Sequence, residues 1–203
     1  PLYAFARRQG QEPEPAQDAV QSFFAELLAR EAISKADPKR GRFRSFLLAS
    51  FKHSMANTAR RERAQKRGGG LTFVALDLEQ GERRLALEPS HASTPERAFE
   101  RTWALTLLRE VLGELRRGYV ARGTAAHFDA LKEYLTPGES TLSYAAKAES
   151  LGMREGAVKV AVHRLRRRYA DALRSAISDT LEADAGENAE DELQSLLASL
   201  KPL

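Results

Sequence analysis

The sequence predicts an all-α protein with two small helical domains joined by a flexible linker. Apolar residues recur at spacings of three and four in the long segments, as on one face of an α-helix. A run of three glycines at 68–70 interrupts this pattern, because consecutive glycines carry too much backbone entropy for a helix interior. Residues 71–94 show no sustained period. We therefore assign residues 1–67 and 95–178 to the two domains and residues 68–94 to the linker.

Three helices are predicted in the first domain. Residues 1–30 contain two of them, separated by turn formers at Gly10 and Pro13. A polar loop at 34–41 precedes the third helix, which runs from Phe43 to about Gln65. Four apolar residues are expected on one face of the second helix: Val20, Phe24, Leu27 and Leu28.

The second domain begins with a well-marked helix start. Thr94 provides a capping hydroxyl, Pro95 suits the first helical position, and Glu96 is an early acid. Five residues of this helix are expected in a core: Phe99, Trp103, Leu107, Val111 and Leu115. Another helix spans about Ala125 to Leu135.

The segment from Leu142 to Tyr169 predicts two helices joined by a tight turn. Ser143 can cap the first helix through its hydroxyl, and Gly152 can adopt the left-handed conformation that ends it. The apolar face of the second helix is expected in a core and comprises Val158, Val162, Leu165, Tyr169 and Leu173. Its other faces carry seven basic residues: Arg154, Lys159, His163, Arg164, Arg166, Arg167 and Arg168. This pattern predicts a helix-turn-helix motif that binds DNA, the alternative being a basic face that is merely solvated.

Charge is unevenly distributed along the chain. The 203 residues carry a formal net charge of +4. Residues 179–203 form an acidic tail with seven acids against one lysine, a net −6, which leaves +10 on residues 1–178. A second basic block, between Lys35 and Arg67, has eleven lysines or arginines against two acids. Two basic helical blocks on either side of the linker favour a partner that carries phosphates.

The composition argues against several other classes of protein. The absence of cysteine excludes disulfides and thiolate metal sites, and it fits a cytoplasmic location. The four histidines show no metal-ligand spacing and no glycine-rich phosphate loop occurs, so we expect no enzyme, cofactor or metal. No apolar run is long enough for membrane insertion, and no signal peptide opens the chain. Because the chain starts at Pro1, we expect residues of the natural N-terminus to be missing.

Two sets of short motifs follow one another along the chain. The first set comprises Leu2–Ala6 (LYAFA), Asp18–Phe24 (DAVQSFF), Phe43–Leu47 (FRSFL) and Arg60-Arg61. The second set comprises Leu142-Ser143-Tyr144, Leu151-Gly152 and Gly156–Arg166 (GAVKVAVHRLR). In this order they resemble regions two and four of the extracytoplasmic-function (ECF) sigma factors of bacterial RNA polymerase. The resemblance covers the chain from about Pro1 to Ile177, with residues 1–67 like region two and residues 95–178 like region four.

The resemblance implies a transcription initiation factor that binds core RNA polymerase and directs it to promoters through their −10 and −35 elements. The implied contacts with polymerase are Asp18, Gln21 and Phe24. The implied contacts with the −10 element are Arg42, Phe43, Arg44, Lys52, His53, Asn57, Arg60 and Arg61. The implied contacts with the −35 element are Arg154, Lys159, Val160, His163, Arg164 and Arg167. An anti-sigma or other regulatory protein is a further candidate partner.

Some residues depart from the family pattern. Phe46 replaces a tryptophan, and His53 replaces an asparagine of the helix that opens the strands. Val160 and Ala161 replace a Ser-Arg pair, so we expect an unusual preference at the −35 element. Lys147 stands where an apolar residue normally packs.

Alternatives remain for the function and for the tail. A helix-turn-helix regulator that binds operator DNA directly would explain residues 142–169, but it leaves the Asp18–Phe24 motif without a role. The tail contains a short apolar stripe formed by Leu193, Leu196, Leu197 and Leu200. This stripe is expected to dock on the protein's own helices, to restrain the basic faces or to bind a regulatory partner, unless the tail is a frayed, solvated end.

Overall fold

A computed structural model describes residues 1–29, 42–64, 94–135, 143–181 and 189–201, without the side chains of residues 59–64. Within these ranges the regular structure is helical and contains no strand, which confirms the all-α prediction for this part of the chain. The helices are α1 (Leu2–Arg8), α2 (Pro13–Ala29), α3 (Phe43–Ala64), α4 (Pro95–Ala121), α5 (Ala125–Leu131), α6 (Tyr144–Leu151), α7 (Glu155–Ser178) and α8 (Ala189–Leu200). A 3₁₀ turn at Lys132–Leu135 follows α5.

Two predicted segments lie outside the described residues. These are the polar loop at 34–41 and the linker at 68–94, of which Thr94 alone is described. The predicted third helix is confirmed as α3, and the helix expected from about Ala125 to Leu135 is divided into α5 and the 3₁₀ turn.

Helix ends follow the local signals in the sequence. The Thr94 hydroxyl accepts a hydrogen bond from the backbone N–H of Arg97 at 3.2 Å and so caps α4. The Ser143 hydroxyl likewise accepts from the backbone N–H of Ala146 at 3.2 Å and caps α6. Gly152 ends α6 with a φ of 61°, a conformation in which a side chain would be strained. The predicted caps and turn are therefore confirmed.

The chain divides into two compact units. The first comprises Pro1–Leu105 with Ser178–Leu203, and the second comprises Thr106–Ile177. This division differs from the predicted boundaries, because the first turns of α4 and the helical tail belong with the first unit. Phe99 is buried in the core of that unit and Trp103 packs against it. The 27 residues of α4 extend for about 40 Å, which is longer than one small core requires.

Aromatic side chains dominate the core of the first unit. The Phe51 ring lies in edge contact with Phe5, at 6.1 Å between ring centroids, and with Phe23, at 5.3 Å. Leu27 of α2 is buried beside them. Leu28, expected on the same face, is instead 59% exposed, because the next residue along an α-helix is turned about 100° from its neighbour.

The core of the second unit joins the 3₁₀ turn to α5, α6 and α7. Its buried residues are Phe128, Leu131, Tyr134, Ala148, Val158, Val162 and Leu165. The Tyr134 and Tyr144 rings are stacked, with centroids 5.0 Å apart, and the Arg166 Nε donates to the backbone carbonyl of Tyr134 at 2.9 Å. The apolar stripe predicted for α7 is thus confirmed as core at Val158, Val162 and Leu165.

Candidate nucleic-acid interface

One face of α7 presents basic side chains to solvent. All six residues predicted to contact the −35 element are exposed: Arg154, Lys159, Val160, His163, Arg164 and Arg167. Burial of Val158, Val162 and Leu165 fixes the rotation of the helix, because residues three and four apart share a face. Lys159, Val160, His163 and Arg164 then lie on the side of the helix that faces away from the core.

Cations of α7 pair with acids of the same helix, among them Lys159 and Arg167. Lys159 Nζ lies 2.7 Å from Glu155 Oε1, and this hydrogen bond raises the pKa of Lys159 above its usual value. The Arg167 Nε lies 4.0 Å from Asp171 Oδ2. Exposed pairs one helical turn apart contribute little, so neither cation is committed to its partner.

Other basic residues of the second unit support the fold. Lys147 Nζ lies 2.5 Å from Glu133 Oε1, and both side chains are mostly buried. This ion pair explains how a lysine occupies a position where the resembled family has an apolar residue. The Arg168 Nη1 donates to the Tyr119 hydroxyl at 3.3 Å, and its guanidinium lies over the Tyr119 ring.

The start of α3 has a different environment. Arg44 was expected to face DNA, but only 4% of its surface is exposed. Its Nε lies 2.7 Å from Glu192 Oε1, its Nη2 donates to Glu192 Oε2 at 3.1 Å, and its Nη1 lies 3.3 Å from Glu100 Oε1. Carboxylates of α8 and α4 therefore cover Arg44, and its contact with DNA stays a prediction.

Arg42 shares the same partners on α8. Its Nε lies 3.0 Å from Glu192 Oε2, and its Nη1 donates to Ser195 Oγ at 3.4 Å. Phe43 is half-buried, with its ring centroid 6.3 Å from that of Trp103. Arg42 and Arg44, both expected to bind the −10 element, thus pair with Glu192 of α8. Phe43, which belongs to the same expected set, packs beside Trp103.

Further along α3 the side chains become more accessible. Lys52 Nζ lies 2.6 Å from Glu96 Oε1 and 5.3 Å from the centroid of the Phe5 ring. The hydrogen bond from Lys52 lowers the pKa of Glu96. His53 and Asn57 are exposed. The side chains of the predicted pair Arg60 and Arg61 lie outside the described residues, although both positions are helical.

The three predicted polymerase contacts on α2 differ in accessibility. Asp18 is exposed, and Phe24 is half-buried with its ring centroid 5.6 Å from that of Phe23. Gln21 is only 8% exposed, and its Oε1 accepts no hydrogen bond within the described part of the chain. Gln21 follows the buried Val20 and is itself buried, and its contact with polymerase stays a prediction.

Sequence reasoning missed the acidic side of this cluster. Glu100, Glu192 and Ser195 contact the arginines of α3, and each comes from a distant part of the sequence. The only signal was the run Glu190-Asp191-Glu192 ahead of the leucine stripe. That run marks an acidic helix start but does not reveal its partner.

The described residues also provide two negative findings. None of their helices is long and apolar enough to span a bilayer. Within the same residues, no group of three or more histidines, aspartates or glutamates is placed to hold a metal ion.

Comparison with known families gives a match in the N-terminal part of the chain. Residues 1–65, which contain α1, α2 and α3, match the family model of Sigma-70 region 2. Searches of curated proteins and of solved structures gave no match. Sigma-70 region 2 binds core RNA polymerase and promoter DNA. Residues 1–65 are therefore similar to Sigma-70 region 2, and this match supports a sigma-70 family factor.

Proposed function

We propose that the chain is an ECF-type sigma factor, which binds core RNA polymerase and directs it to promoters through −10 and −35 elements. The observation that carries the proposal is the Sigma-70 region 2 match over residues 1–65. It is supported by the second unit, in which α7 carries a series of basic side chains that are exposed to solvent. The proposed role is not enzymatic, and we expect it to be exercised in the cytoplasm, where polymerase and DNA meet.

The second unit is proposed to bind the −35 element through α7. An α-helix fits the major groove of B-DNA, where lysine and arginine donate to base edges and phosphates. Lys159 and Arg164 are exposed and have the donors for these contacts. Val160 is 48% exposed among them, and an apolar side chain at that place suits the methyl group of thymine.

The first unit is proposed to bind polymerase through α2 and the opened −10 strand through α3. Asp18 is the accessible member of the α2 set. On α3, the exposed His53 and Asn57 offer hydrogen bonds, and Lys52 offers a charge for the backbone of an unpaired strand.

Run-off transcription with bacterial core polymerase and a promoter library tests the proposal. We expect transcripts that depend on the protein and that start downstream of two spaced elements. Asp18→Ala should weaken co-elution with core polymerase, whereas Glu12→Gln, which removes an exposed acid just before α2, should not. Failure to associate with core polymerase together with failure to direct transcription from any template would overturn the proposal.

The exposed face of α7 also fits a regulator that binds operator DNA directly. The two functions differ in their need for polymerase. If the free chain bound the selected promoter fragments tightly and specifically without core polymerase, the operator-binding function would replace the one proposed here.

A further inference from the structure

α8 lies across the cations with which α3 begins. Both carboxylate oxygens of Glu192 contact arginines, with Arg44 Nε at 2.7 Å from Oε1 and Arg42 Nε at 3.0 Å from Oε2. The Ser195 hydroxyl, one turn later on α8, accepts from Arg44 Nη2 at 3.1 Å and from Arg42 Nη1 at 3.4 Å. One carboxylate therefore pairs with two guanidinium groups, and one hydroxyl accepts a hydrogen bond from each of them.

This arrangement of acceptors resembles the one that a phosphate group offers. The planar guanidinium donates in a fork that matches carboxylate and phosphate oxygens alike. With Glu192 in place, Arg44 is buried and Arg42 is half-buried. A nucleic-acid phosphate could reach this arginine pair only after the carboxylate has left.

The far end of α8 is held in the same manner. The Arg101 Nη1 donates to the backbone carbonyl of Leu200 at 2.8 Å, and the Arg97 Nη2 donates to that of Lys201 at 3.2 Å. Both arginines belong to α4 and meet the negative end of the α8 dipole. Polar contacts from α3 and α4 thus hold the two ends of α8.

The apolar part of the contact centres on one fully buried leucine. Leu196 is buried, whereas Leu197, expected in the same stripe, is 46% exposed because it lies one residue beyond the buried position. Leu193 and Leu200 are half-buried, and among the described residues no side chain of α8 belongs to the aromatic-rich core cluster of the first unit. An isolated helix of 12 residues is marginal in water, and burial of an ion pair offsets much of the gain from its attraction. These features are those of a segment that can be released.

We infer that α8 is an autoinhibitory segment that occupies the Arg42–Arg44 pair and competes with nucleic-acid phosphates for it. The inference rests on the proposed function, in that α3 is the surface for the −10 strand. While α8 is docked, the arginine pair cannot bind a phosphate. The apparent affinity for nucleic acid is therefore the intrinsic affinity multiplied by the fraction of molecules in which α8 has left the pair. Displacement of α8 by DNA, or by a protein that binds α8, then permits strand binding.

The first experiment measures binding of a short fluorescein-labelled single-stranded oligonucleotide to the full chain by anisotropy. Glu192→Gln weakens the clamp while it keeps the shape of the side chain, so affinity should rise by at least about fivefold. Glu110→Gln removes the same charge at an exposed position of α4 and should leave affinity unchanged. Arg42→Ala combined with Glu192→Gln should abolish most of the gain. Unchanged or weaker binding by the Glu192→Gln variant would overturn the inference.

The second experiment follows α8 itself by amide hydrogen exchange in the full chain. Saturating oligonucleotide should speed exchange at residues 190–200, because bound phosphates expel the carboxylate. A synthetic peptide of residues 187–203 should compete with the oligonucleotide for the Glu192→Gln variant. Slower exchange, or a peptide without effect, would show that α8 is a permanent part of the fold.

Parallel run-off transcription separates the two proposals. If no variant supports transcription with core polymerase while oligonucleotide binding still rises in Glu192→Gln, the proposed function fails and the competition at α8 stands. If every variant supports equal transcription and binds the oligonucleotide equally, the autoinhibitory role fails and the proposed function stands.

Discussion

The basic surfaces of α3 and α7 have similar composition but different surroundings. At the start of α3, Arg42 and Arg44 are enclosed by a carboxylate from a helix almost 150 residues later in the sequence, the separation of Arg44 and Glu192 being 148. On α7, Lys159 pairs with an acid one turn away and lies 5.9 Å from the centroid of the Tyr144 ring, and both Lys159 and Arg164 are exposed. Pairs on one exposed helix contribute a few tenths of a kcal/mol, about 0.2–0.5, whereas removing one partner of a buried pair is costly. Whether a basic side chain is accessible to a phosphate therefore depends on whether its ion pair is buried, and not on the number of cations nearby.

The largest expected effect concerns the basic face of α7. Lys159→Ala with Arg164→Ala should lower transcription from a −35-dependent promoter by about tenfold to a hundredfold, because lost contacts to bases or phosphates weaken DNA binding. Co-elution with core polymerase should be unchanged. Arg117→Ala with Arg122→Ala removes two exposed cations of the same unit outside α7 and serves as the control. Equal losses in both double variants would mean that net charge, and not the α7 face, determines the effect.

A matched pair of arginine substitutions sharpens the comparison. Arg44→Ala leaves Glu192 without its nearest cation, so α8 should detach to hydrate the carboxylate, and amide exchange along α8 should accelerate by about tenfold. Arg44→Lys should give a smaller effect, since a lysine keeps the charge but loses the planar fork. Arg164→Ala should leave exchange throughout the second unit unchanged. Protection of α8 that survives Arg44→Ala would contradict the role given to this ion pair.

The Lys147–Glu133 pair is intermediate in burial between the Arg44–Glu192 pair and the exposed Lys159–Glu155 pair. Lys147→Ile strands a mostly buried carboxylate and should lower the free energy of unfolding by about 1 kcal/mol, measured by urea unfolding with circular dichroism. Adding Glu133→Leu should recover the loss, because both polar groups are then gone. Lys132→Ile, which breaks an exposed pair with Asp129, should cost less than about 0.5 kcal/mol. A loss in the double variant as large as in Lys147→Ile would contradict this account.

The smallest expected effect concerns acid and the Lys52–Glu96 pair. The pKa of Glu96 is lowered in the folded chain, chiefly by the hydrogen bond from Lys52. A lowered carboxyl pKa stabilises the fold above its unfolded value of 4.5, and this contribution disappears as pH falls through the folded pKa. Because both side chains are more than a third exposed, the contribution should stay below about 1 kcal/mol.

Urea unfolding as a function of pH measures this contribution. The difference between the wild type and Glu96→Gln should be present near neutral pH and vanish in acid. Glu110→Gln, at an exposed position of α4, is the control for the loss of one negative charge. If the wild type instead gained stability over Glu96→Gln as the pH fell, the pH dependence would have the opposite sign and would contradict the assignment to Glu96.

Local features of this fold were predictable from sequence, whereas long-range ones were not. Ser143 and Gly152 define the ends of α6 through contacts within four residues, so the sequence contains all the relevant information. The exposed set on α7 follows from helical periodicity in the same way. The fate of Arg44 depends on where α8 docks, and no local pattern encodes that contact. The unit boundary within α4 was missed because Phe99 and Val111 belong to one continuous run of apolar residues at helical spacing, although they lie in different units.

Trp103 is the only tryptophan in the chain, and it lies in the first unit beside Phe43 and Phe99. Its intrinsic emission is therefore an optical signal of that unit, obtained without any label or engineered residue. The second unit contains tyrosines but no tryptophan, so excitation at the red edge of the absorption band produces emission from Trp103 and not from the second unit. Comparison of emission with a global probe of helicity would show whether the two units melt together or in succession.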